Sequence, residues 1–133
     1  MNHYDQAIYA LQSIVQELEL DAKSIIKAHT NFCKDAVGRG EKPNKIEPYI
    51  SHSSKSSFSL VWQRKAPIAP WHEKRISPRK FCCNTTTLAK ASQPWALEAV
   101  LSCERSLADI RKRMQKIRSA IRMLEQMKRM HDQ

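Results

Sequence analysis

Glycine is almost missing from this chain: of 133 residues only Gly38 and Gly40 are glycine. A loop that cradles phosphates on backbone N–H groups needs several glycines at fixed spacing, so P-loop and dinucleotide-binding chemistry are excluded. The motifs G-x-S-x-G and H-E-x-x-H are also missing, as are paired carboxylates in a plausible cleft. The expectation is a non-catalytic binding protein without cofactor or metal. No apolar run approaches the roughly 18 residues of a membrane span. The N-terminus lacks a basic segment followed by a continuous apolar one. A soluble, cytoplasmic protein with no membrane role is expected.

Cysteines are few and oddly placed. Cys33 and Cys103 fall at helical seam positions, where a free thiol behaves as a small hydrophobe. Cys82 and Cys83 are adjacent, a spacing that suits neither zinc-finger pairs nor a mutual disulfide. Zinc ligation with His29, His52 or His72 has no supporting pattern, and reduced structural thiols are expected.

Acidic residues are scarce too, 13 against 23 Lys and Arg, for a formal charge of +10. Residues 1–37 carry a net −2, residues 38–93 a net +8 and residues 94–133 a net +4. The basic excess belongs to the middle and the end of the chain. A surface of that sign attracts polyanions, nucleic acid before anionic membrane.

What the chain does have is two long helical seams. From Pro94 to about Met130, apolar residues at Val100, Cys103, Leu107, Ile110, Met114, Ile117, Ile121 and Leu124 alternate in steps of three and four. That is the rhythm of a helix with one apolar stripe. Ser92 or Gln93 stands at the N-cap position, Pro94 in the first turn, and Lys128, Arg129 and His131 at the negative end of the dipole. A second seam runs from about His3 to Val37 through Ile8, Leu11, Val15, Leu18, Ala22 and Ile25, with Gly38 as its left-handed cap. The two helices have similar lengths, roughly 50–55 Å at helical rise. They suit antiparallel pairing, with Glu17, Glu19 and Asp21 facing basic residues of the last helix. His29 interrupts the first seam and is expected at its edge, with one nitrogen hydrated.

Between the helices, residues 41–57 read as an exposed connector with a Ser-rich stretch and one short apolar segment, Ile46 to Ile50. Phe58 to Arg64 is the best strand, alternating Phe58, Leu60 and Trp62 with Ser59, Val61 and Gln63. Trp71 to Ile76 and Arg79 to Asn84 are further extended pieces, giving a small antiparallel sheet of two to four strands. A helical turn near Thr87 to Lys90 leads into the last helix, and Trp95 is expected to pack back onto the sheet.

The middle segment also holds the one constellation that resembles a site. Arg64 with Lys65, Lys74 with Arg75, and Arg79 with Lys80 are three basic pairs at strand ends, with Trp71 and Lys55 nearby in sequence. Such pairs neutralise several phosphates together, and a two-stranded ribbon bearing arginine can enter a major groove. Arg111, Arg118, Arg122 and Arg129 form a second basic stripe on the last helix, and Arg105 is placed to pair with Asp109.

A family resemblance rests on several of these stretches: Asn84-Thr85-Thr86-Thr87-Leu88, Gln93-Pro94-Trp95-Ala96-Leu97-Glu98 and Glu104-Arg105-Ser106-Leu107-Ala108-Asp109-Ile110-Arg111, after the basic strand with Trp62. Over roughly residues 58–115 the chain resembles the MobI-type proteins, small accessory proteins of conjugative plasmids and integrative elements. The resemblance implies a role in mobilisation at the origin of transfer, alongside the relaxase, by sequence-specific DNA binding without catalysis. The Ser-rich loop and the Cys82-Cys83 pair lie outside that pattern, and no base-contacting residue is carried over.

The expected architecture is therefore a single α+β domain of two long antiparallel, coiled-coil-like helices with a small antiparallel sheet between them. Its expected partners are double-stranded DNA, a relaxase or other transfer protein, and a second copy of the chain. Leu11, Val15, Leu18, Leu107, Ile110, Met114, Ile117 and Ile121 would form the pairing seam, within or between chains. Two other readings fit the residues: a helical adaptor that receives an acidic protein partner, and an RNA-binding protein.

Overall fold

The structure is a computed structural model that describes residues 2–54, 57–65 and 74–132. The first helix, α1, spans His3–Gly38, and the last, α3, spans Leu97–His131. They lie antiparallel within one chain. Lys128 Nζ meets Asp5 Oδ1 at 2.7 Å, and Tyr4 faces His131 with ring centroids 5.9 Å apart. At the opposite end Phe32 faces Trp95 at 6.3 Å.

The ends of α1 follow local rules. The Asn2 side chain accepts the Asp5 N–H at 2.8 Å, a normal N-cap bond. At the C-terminus the left-handed residue is Gly40 (φ 102°), two residues beyond the Gly38 expected from sequence. Glu41 N–H reaches Ala36 O at 3.1 Å and Gly40 N–H reaches Val37 O at 3.0 Å. That pair is a Schellman motif, which satisfies two carbonyls the helix would otherwise leave open.

Strand β1 is Ile46–Ser54, β2 is Ser57–Arg64 and β3 is Arg75–Ile76, in the sheet order β1-β2-β3. All pairings are antiparallel, with a register shift between His52 and Ser54. Much of the Ser-rich stretch is thus strand and not loop, because Ser51 and His52 pair with Ser59 and Phe58. Pro48 is tolerated because β1 is an edge strand. Residues 79–84 do not form the expected strand. Arg79 and Cys82 exchange backbone hydrogen bonds across a tight turn, with Lys80 at φ 56°. Of the expected strand from Trp71 to Ile76, residues 71–73 lie outside the described residues.

A short helix, α2 (Thr85–Lys90), follows, its N-cap Asn84 accepting the Thr87 N–H at 3.0 Å. A single 3-10 turn at Pro94–Ala96 leads into α3. Neither Ser92 nor Gln93 caps this turn through its side chain. The Gln93 N–H instead donates to Asn44 Oδ1 at 2.8 Å, and Asn44 is buried. Trp95 is half-buried against the core that the sheet shares with the helices, and its indole N–H donates to Lys42 O at 2.8 Å, tying the last helix to the connector after α1.

The core joins all these elements. Val15, Leu18 and Ala22 of α1 meet Phe58, Leu60 and Trp62 of β2, Leu88 of α2, and Val100, Leu107 and Met114 of α3. Burial ends near Val15 and Met114. Past them, Leu11, Ile117 and Ile121 are half-buried, and Tyr9, Met123, Met127 and Met130 are exposed. Apart from Asp5, the acidic residues of α1 expected to face α3, Glu17, Glu19 and Asp21, have no ion pair with it among the described residues. Glu19 pairs with His52 at 2.6 Å and Lys23 at 3.8 Å, and Asp109 pairs with Arg113, not Arg105.

Candidate nucleic-acid interface

The expected single basic patch separates into two groups, at opposite ends of β2. The first gathers where β1 starts and β2 ends. Arg64 N–H donates to Lys74 O at 2.6 Å, Lys65 N–H donates to Lys45 O at 2.9 Å, and Gln63 is in register with Arg75. Lys45, Lys65, Lys74 and Arg75 are exposed and Arg64 is half-buried. Arg75 donates to Ser51 Oγ at 3.1 Å, which holds its guanidinium across the face of the sheet. Among the described residues, the acid of this group is Glu47, which accepts from Gln63 Nε2 at 2.8 Å. Trp71 and Lys55 lie outside the described residues.

The second group forms at the start of β2. Arg79 and Lys80 sit on the turn that docks against α3, and Lys80 lines a groove with Arg118 and Arg122. The α3 stripe read from sequence is therefore only partly available. Arg118 Nη2 donates to Phe58 O at 2.7 Å and Ser57 Oγ at 3.2 Å, while Arg122 and Arg129 are exposed.

Arg111 departs most from its expected place on a basic surface. It is 8 % exposed and lies beneath the sheet. Its Nη1 and Nη2 donate to Glu104 Oε2 and Oε1 at 2.7 and 3.0 Å. Its Nε donates to Leu60 O at 2.9 Å, and Nη1 also reaches Phe81 O at 2.7 Å. Glu104 in turn accepts the Trp62 indole N–H at 3.0 Å and the Cys83 N–H at 2.8 Å. The pair thus fastens β2 and the 79–83 turn to α3, and no buried side-chain polar atom among the described residues lacks a partner. Sequence offered one sign of it: Glu104 and Arg111 lie seven apart, two helical turns, beside Leu107 on the buried stripe.

His29 is likewise inside and not at a hydrated edge. Its ring stands edge-on to Trp62, centroids 5.4 Å apart, and Nε2 lies 3.5 Å from Cys33 Sγ. Burial, then nearby Lys65, lowers its pKa, against a hydrogen bond to Ala99 that raises it. Burial also raises the Cys33 thiol, opposed by Lys65. Neighbours so shifted favour neutral imidazole and neutral thiol, the reverse of an activated Cys–His pair. Burial first, then Glu104, pushes Cys83 and Cys103 up to about 12.

The lowered His29 pKa has a consequence for stability. Below pH about 6.5 the unfolded chain binds a proton that folded His29 refuses, so stability is full above that pH and falls below it. The slope reaches at most about 1.4 kcal/mol per pH unit until the folded pKa is passed. Urea denaturation between pH 7 and pH 5 should show this loss, and His29→Gln should flatten that part of the profile.

Taken together, the described residues make an α+β protein in which a helix pair carries a small sheet with basic groups at both ends. Among known families, the MobI protein family matches residues 18–125, so the chain belongs to it. MobI is a family of mobilisation accessory proteins. The match extends beyond the 58–115 stretch that carried the resemblance and takes in more than half of α1. No curated protein and no solved structure matches the chain. Among the described residues, no helix is long and apolar enough to cross a membrane.

Proposed function

We propose that this protein is a non-catalytic DNA-binding accessory factor that acts at an origin of transfer, in the cytoplasm and alongside a relaxase. The observation that carries the reading is the group at the end of β2, where Lys45, Arg64, Lys65, Lys74 and Arg75 meet on one rim of the sheet. Backbone pairing holds these residues together, so their side chains leave from neighbouring points of the sheet. That placement suits phosphate neutralisation with duplex backbone across the rim, and Arg75 is the candidate for a base contact. Membership of the MobI family supports a role in mobilisation.

The same reading includes a homodimer of single-domain protomers. The part of the helix pair beyond the sheet exposes Tyr9, Met123, Met127 and Met130, apolar surface that a second copy would cover. Two rims related by a two-fold axis would match a repeated DNA site.

The test is binding to fluorescent duplexes, one carrying the origin-of-transfer sequence and one scrambled, titrated across salt. Preference of about tenfold or more for the cognate duplex at physiological salt is expected of a site reader. Arg64→Ala with Arg75→Ala should lower the magnitude of the log–log salt slope by roughly 2, at about 0.9 per phosphate contact. Equal binding that vanishes with salt, or no binding, would defeat the reading.

A further inference from the structure

The second basic group has features that a duplex-facing rim does not need. Between the 79–82 turn and α3 runs a groove of about 460 Å³. Pro78, Phe81 and Met114 give it apolar surface, Ser59 and Gln115 add polar atoms, and Lys80, Arg118 and Arg122 supply charge. Among the described residues, no acidic one lines it. Lys80 and Arg122 have no ion-pair partner among the described residues. Arg118 is anchored through one guanidinium nitrogen to the start of β2, which leaves the rest of the group open toward the groove. Burial and the neighbouring charge of Arg122 both lower its pKa, as expected of adjacent cations with no anion between them.

The position of Lys80 is also built. Its φ of 56° is unusual for a residue with a side chain, and the paired Arg79 and Cys82 backbone bonds hold it there. Arg111 holds the next residue by its carbonyl, so the turn cannot drift from α3. Glu19 and Glu125 line the adjoining cavity on the far side of Arg118 and Arg122, where Glu19 is already bound to His52.

We infer that this groove takes one nucleotide of a single-stranded nucleic acid, its phosphate between Lys80, Arg118 and Arg122 and its base on the apolar surface beside Phe81. The inference deepens the nucleic-acid reading above and rests on it. A duplex keeps its base faces stacked inside and offers phosphates and base edges, so it has no free base face to lay on an apolar surface. An unstacked base brings a flat apolar face and a phosphate on one unit, which the two halves of this groove match. Its volume lies in the range of small-ligand sites, roughly 300–1,000 Å³.

The experiment uses the full chain with a labelled oligothymidine of about 12 nucleotides and a duplex of similar length, read by fluorescence anisotropy. Lys80→Ala with Arg122→Ala changes two exposed side chains, and circular dichroism confirms that the fold is kept. The expected result is roughly tenfold or greater weakening for the single strand, with duplex affinity nearly unchanged. Phe81→Leu, which keeps an apolar side chain but removes the ring, should weaken the single strand about fivefold or more. Undiminished single-strand binding in the double variant would overturn the inference. So would wild-type protein that binds duplex but no single strand, an outcome that leaves the rim reading intact. Wild-type protein that binds neither would end both.

Discussion

Arg111→Ala is expected to destabilise the protein by about 3–5 kcal/mol, the usual cost of removing one partner from a buried ion pair. The carboxylate of Glu104, 3 % exposed, would keep its bonds from Trp62 and Cys83 but lose its counter-charge. The carbonyls of Leu60 and Phe81 would lose their donors as well. Urea denaturation should show the shift in midpoint. Arg111→Met together with Glu104→Met offers a sharper comparison. In many proteins an apolar swap of a buried ion pair is neutral or stabilising. Here the pair also satisfies the Trp62 indole, the Cys83 amide and two carbonyls, so the apolar swap should remain about 2 kcal/mol or more below wild type. A double variant as stable as wild type would show that these backbone groups find other partners.

Trp62→Ala should cost about 3–5 kcal/mol as well, because a fully buried indole at the centre of the sheet leaves a cavity that the helices on its face cannot close. Trp62→Phe separates packing from hydrogen bonding. It retains most of the ring volume and loses one bond to a carboxylate oxygen that still accepts from Arg111, so about 1–2 kcal/mol is expected. Because Trp62, Glu104 and Arg111 form one network, their losses should not add, and a double-mutant cycle measures the coupling. Additive losses would mean the network acts as separate contacts.

Much of the fold was legible because it rests on local rules. The two seams needed only steps of three and four, and the β2 alternation needed only a period of two. The ends of α1 and α2 then follow from short-range hydrogen bonds, which depend on neighbours in sequence. The misplaced elements share one cause. Ser51 to Ser54 carries no strand signal of its own, but lies in register with β2 and so becomes strand. Arg79 to Asn84 has strand-forming residues, but Arg111 captures the Phe81 carbonyl and turns the chain back.

For the candidate site, residue type alone did not separate binding cations from structural ones. Arg111 and Arg122 look alike in a list of basic residues on one stripe. Eleven residues apart, they lie about three helical turns from each other, and the sheet covers only the first. A buried guanidinium requires a carboxylate and backbone acceptors around it, and those come from β2, the 79–83 turn and α3 together. Charge sum, helix periodicity and the central strand were decided by sequence, since each depends on composition or on nearest neighbours. The division of the basic residues into a rim, a groove lining and a buried clasp was decided by tertiary structure, because desolvation depends on which surfaces meet.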